Sequence, residues 1–207
     1  MAQIKTGIVK PRLLLATHNQ GKIREFHSLF SGIPYDILSL KDCGISQEVD
    51  ENGDTYEQNA ILKATSMAAL SCLLTMADDS GLEVEALGGE PGVRSSRYAG
   101  DNKTDAEKIA YVLTKLKAAP DIRRNAQFRC VIAIAEPNGK VELFSGACQG
   151  FIANEPKGTN GHGYDPIFYI PELKKTMAEL TMAEKNLLSH RARAALKAKE
   201  WLINRVG

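Results

Sequence analysis

The chain has 207 residues, 43% hydrophobic and 25% charged, with 26 basic and 25 acidic side chains and a net charge of +1. These values exclude a disordered or collagen-like chain, and the charge balance excludes a global field for nucleic acid or anionic lipid. Any anion recognition must therefore be local.

In chain order, Leu13–Ala16 reads as a short apolar strand running into the polar turn Thr17, His18, Asn19, Gln20, Gly21, Lys22. A helix follows over about 21–30, with Ile23, Phe26 and Phe30 on one face. The segment 35–40 predicts a second strand, and the acidic stretch Glu48, Asp50, Glu51, Asp54 follows it. Thr55 and Gln58 form a capping-box signal for a long helix ending near Leu74. Next comes a strand broken by a polar turn at Ala77–Gly81, then Pro91-Gly92 as punctuation. Thr104 and Glu107 open a further helix whose apolar face is Ile109, Val112, Leu113 and Leu116. The alternating segment 126–152 predicts a hairpin turning at Asn138-Gly139. After the Gly- and Pro-rich 154–166, Ile167–Ile170 is apolar, and Thr181 with Glu184 precedes an Ala- and Lys-rich C-terminal helix. The pattern predicts an α/β fold: an elongated mixed sheet flanked by helices, two lobes with a central cleft, in a single domain over residues 1–207 without a separable linker.

The four cysteines, Cys43, Cys72, Cys130 and Cys148, include no CxxC pair, which favours reduced thiols over zinc or disulfides; Cys72 and Cys130 read as buried small hydrophobes. No run reaches the ~18 apolar residues of a spanning helix, and the first residues lack a signal-peptide h-region. The expectation is a cytoplasmic protein without membrane or nucleic-acid partners.

Several constellations could carry chemistry. A strand feeding a Gly-containing turn into a helix offers free N–H groups and a dipole end to an anion, and Lys22 adds a charge. It is not a P-loop, because Ala16 and Ile23 stand where that motif needs Gly and Ser or Thr. Asp78 and Asp79 are adjacent on extended chain, so their side chains point to opposite faces and take different roles; the same Asp-Asp-Ser-Gly run could equally be an ordinary turn. Mg²⁺ takes one or two carboxylates plus phosphate oxygens, which Asp79 with Asp50 or Glu51 would supply, although such an acidic stretch can also be solvated loop. His162, Gly163, Tyr164 and Asp165 put an imidazole, a phenol and a carboxylate on flexible backbone. Lys185, Ser189, His190 and Arg191 gather at a helix start, where Arg191 offers only donors to an acceptor oxygen.

Together, in order, "ATHNQGK", "ENGDTYEQNAILKA", "ADDSGLEVEALGGEPGVRSSRYAG", "GHGYDPIF" and "EKNLLSHRARAAL" resemble the inosine triphosphate pyrophosphatase family, the XTP/dITP diphosphatases, from about Leu13 to Leu202. The resemblance implies a homodimeric, Mg²⁺-dependent hydrolase with an elongated two-lobed fold. Such an enzyme cleaves deaminated purine nucleoside triphosphates (ITP, dITP, XTP) to monophosphate and pyrophosphate. It assigns triphosphate binding to Thr17–Lys22, chiefly Lys22 and Asn19. Asp79 becomes metal ligand and general base, Ser80 a substrate contact, and Asp50 or Glu51 the second metal ligand. His162–Asp165, Lys185, His190 and Arg191 would form the base pocket. Two positions depart: many relatives have Phe at His162 and an aromatic at Arg94. A pyrophosphatase for modified pyrimidine nucleotides, or a binding module without turnover, remain the rival readings.

Overall fold

The computed structural model describes residues 10–118 and 123–206. Its elements run β1 (Arg12–Leu15), α1 (Gln20–Leu29), β2 (Asp36–Ser39), α2 (Tyr56–Ser71), β3 (Leu74–Val84), α3 (Asp105–Ala118), β4 (Asn125–Ala135), β5 (Val141–Ile152), β6 (Phe168–Ile170), β7 (Lys175–Thr176), α4 (Met182–Leu188) and α5 (His190–Val206). Among the described residues one mixed sheet of seven strands forms in the order β2-β1-β3-β4-β5-β6-β7. β1 pairs parallel with both β2 and β3, while β3-β4 and β4-β5 are long antiparallel ladders. The expected helix-flanked mixed α/β sheet is the fold observed.

Strand alternation sorts the core. Leu13, Leu15 and Met76 point to one face, where Phe26 of α1, Phe30 at its C-cap, and Ala194, Ala198 and Leu202 of α5 cover them. Leu14 and Ala77 point to the other, under Ala60, Ala64 and Met67 of α2. A third cluster at the far end of the sheet packs Ile109, Val112 and Leu116 of α3 near Leu82, Phe128 and Phe168. Each such fully buried aliphatic or aromatic side chain contributes roughly 1.5–3 kcal/mol.

The capping signals hold with one amendment. Thr104–Glu107 and Thr181–Glu184 close both arms of the box. At Thr55 only the forward arm forms, because Gln58 Oε1 accepts the Asp54 N–H instead (2.7 Å).

Four expectations need correction. α2 ends at Ser71, not near Leu74, since Cys72 adopts the left-handed conformation (φ 55°) that stops a helix. Cys72 is accordingly exposed, while Cys130 is buried as expected. Ala77–Gly81 is no turn but the middle of unbroken β3, whose partners on β4 run from Thr75↔Ala135 to Val84↔Ala126. Tertiary pairing overrides the poor strand propensity of Asp, Ser and Gly. Ser189, extended at ψ 156°, divides the C-terminal segment into α4 and α5.

Candidate active site

β1 pairs with β3 only as far as Met76, and the Ala16 N–H then bonds the Met76 carbonyl (2.8 Å) before the chain swings into α1. Asp78 and Asp79 therefore lie just beyond the carboxyl end of β1, where the strand order diverges to β2 on one side and β3 on the other. Open α/β sheets place their ligands at such switch points. A cavity of about 620 Å³ opens there.

The Thr17–Lys22 turn is locally self-supporting. Asn19 caps α1, its Oδ1 accepting the Lys22 N–H (3.1 Å), and Thr17 Oγ1 accepts the Asn19 N–H (3.2 Å). His18 reaches the Gln47 carbonyl (3.3 Å). Thr17, His18, Asn19 and Lys22 line the cavity, whereas Gln20 and Gly21 are outside its lining. Gly21 has a different local reason: a Cβ there would sit 2.7 Å from His162 Nδ1, so the imidazole packs on bare backbone at the start of α1.

The two β3 carboxylates part as alternation requires. Asp78 faces α1 and α5, with Lys22 Nζ at 3.0 Å and Arg191 Nη2 at 3.3 Å. Burial alone would raise its pKa, but these cations and Lys63 hold it well below the usual carboxylate range. Asp79 faces α2: Oδ2 accepts from Asn59 Nδ2 (3.0 Å) and Oδ1 from the Ser80 N–H (2.8 Å). Both donors are neutral, and burial leaves the Asp79 pKa raised despite nearby Lys63.

From Asp78 a chain of buried charges continues. Arg191 Nη1 bonds Glu25 Oε2 at 2.6 Å, and Lys185 Nζ lies 2.6 Å from both Glu25 Oε1 and Asp165 Oδ2. Burial pushes Glu25 up, yet Arg191 and Lys185 prevail and hold it at about 2. Glu25, His162 and Asp165 have the spacing of a three-ligand metal group. The Lys185 ammonium between its two carboxylates already supplies the cation, so a divalent ion there would have to displace a buried charge. Lys185, expected from the resemblance to help form a base pocket, is buried and is not among the residues that line the cavity; its ammonium pairs with Glu25 and Asp165.

The acidic segment borders the same cavity. Glu51 pairs with Lys63 Nζ (2.8 Å), which also donates to the Asp78 carbonyl (2.5 Å). Arg97 Nη2 bonds the Glu51 carbonyl (3.1 Å), while Glu48 and Asp50 line the cavity and are exposed. On the opposite side Tyr164 is fixed through its hydroxyl to the Ser95 carbonyl (2.8 Å), and the Gly163 N–H donates to Asp105 Oδ2 (2.6 Å). His190 stacks on Phe128 (centroids 4.6 Å apart, 17° between planes), and burial with nearby Arg191 keeps it neutral. Arg191 donates to Glu25, Asp78 and Ser80. Its Nε and His190 Nδ1 are buried without a hydrogen-bond partner among the described residues, and both belong to residues that line the cavity, as does His162, whose Nδ1 has only a long contact to Glu25 Oε1 (3.5 Å). Folded proteins pair nearly all such atoms, so this cluster marks a place built for a polar ligand.

A profile of the Ham1 family matches residues 13–201. The chain belongs to the Ham1 family. A dITP/XTP pyrophosphatase of Desulforamulus reducens is 48% identical, covering 94% of this chain and 96% of the relative. One from Bacillus subtilis is 45% identical, covering 94% and 98%. Among solved structures, a HAM1 protein from Coxiella burnetii superposes with TM-score 0.86 at 43% identity, covering 93% of this chain and 98% of that one. The Staphylococcus aureus Ham1 protein gives 0.83, also at 43% identity, over 94% and 99%. The resemblance read from the sequence to the XTP/dITP diphosphatases is thereby borne out.

This Ham1 chain gathers most of the residues singled out from sequence: Thr17, His18, Asn19, Lys22, Asp50, Glu51, Asp79, Ser80, His162, Gly163, Tyr164, Asp165, His190 and Arg191 all line the cavity. Sequence reasoning missed Glu25, Asn59, Lys63 and Arg97. For two of them a signal existed: Asn59 and Lys63 are four residues apart and share a helix face. Among the described residues no helix is long and apolar enough to cross a membrane.

Proposed function

We propose that this chain hydrolyses deaminated purine nucleoside triphosphates, ITP, dITP and XTP, to the monophosphate and pyrophosphate, removing them from the nucleotide pool. The observation that carries the reading is one cavity shared by cations fit for phosphates (Lys22, Lys63), carboxylates fit for a metal (Asp79, Asp50, Glu51) and a donor-rich wall fit for a purine (Arg191, His162, His190). The names of the relatives support the same reading.

Lys22 and the first turn of α1 would neutralise the triphosphate before a nucleophile approaches it. A Mg²⁺ ion fits Asp79 with Glu51 or Asp50, because Asp79 is a buried carboxylate whose direct hydrogen bonds all come from neutral donors, which leaves lone pairs for a cation. Bound there, the ion would spread the phosphate charge and acidify a water. Asp79 would take the proton of the attacking water, and Ser80 would contact the substrate. Arg191, gripped by Glu25 and Asp78, would offer its remaining N–H groups to the purine O6, an acceptor in hypoxanthine and xanthine but a donor group in adenine. A buried donor facing a donor costs about 1–3 kcal/mol, which separates ITP from ATP. His162 and Tyr164 would bound the base. The working unit would be a single domain of two lobes, cytoplasmic and assembled as a homodimer through the outer face of β5, where Leu143 and Phe151 are 43% and 42% exposed.

The test is pyrophosphate release from ITP, XTP, dGTP and ATP, with and without Mg²⁺. Fast, Mg²⁺-dependent release from ITP and XTP alone is expected. Equal release from all four would refute the base assignment, and none from any would refute the hydrolase reading.

A further inference from the structure

Asn59 is completely buried, on α2, with both ends of its amide in use. Oδ1 accepts the Gly53 N–H (2.8 Å) and Nδ2 donates to Asp79 Oδ2 (3.0 Å). The Gly53 amide can only donate, so the Asn59 oxygen must face it and the NH₂ must face Asp79. This one side chain thus ties the acidic segment to the carboxylate on β3. The join is tight: a Cβ on Gly53 would sit 2.8 Å from Asn59 Oδ1 and 2.7 Å from Gln58 Cβ. One turn further along α2, Lys63 repeats the bridge with a charge, linking Glu51 to the Asp78 carbonyl.

We propose that Asn59 is a positioning residue for the hydrolysis reaction: it touches no substrate, but sets the aim of Asp79 and the distance from Asp79 to the acidic segment. The inference rests on the function proposed above. With Ser80 N–H occupying one lone pair of Oδ1 and Asn59 one of Oδ2, the carboxylate is fixed in rotation and its remaining lone pairs are directed. Groups that orient a metal-binding carboxylate in this way change affinity or activity 10–100-fold when removed. Loss of Asn59 would free Asp79 to rotate and let residues 50–54 drift from it. The phosphate and base contacts made by Lys22 and Arg191 would stay.

The variants are Asn59→Ala and Asn59→Leu, the second filling the volume should the first fail to fold. In steady-state hydrolysis of ITP, kcat is expected to fall about 10–100-fold with KM within about threefold, a split that lowered stability alone does not produce well below the melting temperature. A second readout needs no turnover: the Mg²⁺ concentration giving half of the ion's effect on Tm should rise about tenfold. Unchanged kcat and unchanged Mg²⁺ midpoint in a folded variant would overturn the proposal. So would a raised KM at unchanged kcat, which would make Asn59 a substrate-binding group, or loss of folding in both variants, which would make it purely structural. If the wild-type chain released no pyrophosphate from any nucleotide, the hydrolase reading would fail, and the Mg²⁺ midpoints would still decide the fate of Asn59.

Discussion

Glu25 has the least expected role of any single residue. It sits three positions after Lys22 on α1 with 2% of its surface exposed, and it holds Lys185 and Arg191 at once. Two carboxylate oxygens shared by two buried cations make it the midpoint of the charge chain from Asp78 to Asp165. Replacing it by Gln keeps the shape and removes the charge. Breaking a buried ion pair from one side costs about 3–5 kcal/mol, so Glu25→Gln should lower the unfolding free energy by that amount in urea. A loss well under about 1 kcal/mol, the range of surface ion pairs, would mean that water reaches the network. Nothing in the sequence marks Glu25 apart from its spacing to Lys22, because a Glu in a first or second helical turn is normally solvated. The charged end of the turn was legible; its buried counter-ion was not, since the partners lie about 160 residues further along the chain.

Among the elements, α5 is the most constrained. At Gly146 its backbone crosses β5 so closely that an added Cβ would overlap the His190 carbonyl and the Ala194 amide. Arg193 and Lys197 then cover carbonyls on the open edge of β5, at Ala147 (2.8 Å) and Ser145 (2.7 Å), which blunts that edge against pairing with another chain. The start of the helix buries His190 among Arg191, Lys185 and the face of Phe128, and burial also lowers His162 across the site. Both imidazoles thus have folded-state pKa values below the ordinary 6.5. Below that pH the unfolded chain takes up protons that the folded chain refuses. Stability is therefore expected to fall as pH drops from 6.5 toward the lower folded-state values, and to be insensitive to these groups above it. Each such proton contributes a slope of about 1.4 kcal/mol per pH unit. His190→Leu should remove one proton's worth of slope in denaturation curves between about pH 5 and 6.5; an unaltered slope would show that the folded protein accepts that proton.

For the whole molecule, helices with amphipathic spacing and capping pairs were readable, as at Thr104–Glu107 and Thr181–Glu184, because those signals are local. The middle of β3 was not. Ala77–Gly81 has turn composition, and only pairing with β4 along its full length, with Lys22, Arg191 and Asn59 meeting the two carboxylates, makes it a strand. The outer face of β5 would carry the proposed association. Sedimentation equilibrium should give twice the mass of one chain, and Phe151→Glu should halve it; a wild-type monomer would rule out the homodimer.

The charge chain also has a consequence for synthesis. Lys22 and Glu25 leave the ribosome before Asp78 and Asp79, and Lys185 and Arg191 follow well after them. Until α4 and α5 dock, a nascent chain holds Glu25 without either of its cations and Asp78 with Lys22 but not Arg191. Closure of the sheet around them must wait for the last helix, so chains stalled or cleaved short of it would leave those charges unmatched and be open to proteolysis. Docking of these late helices would thereby act as a checkpoint on the fold, set by electrostatics.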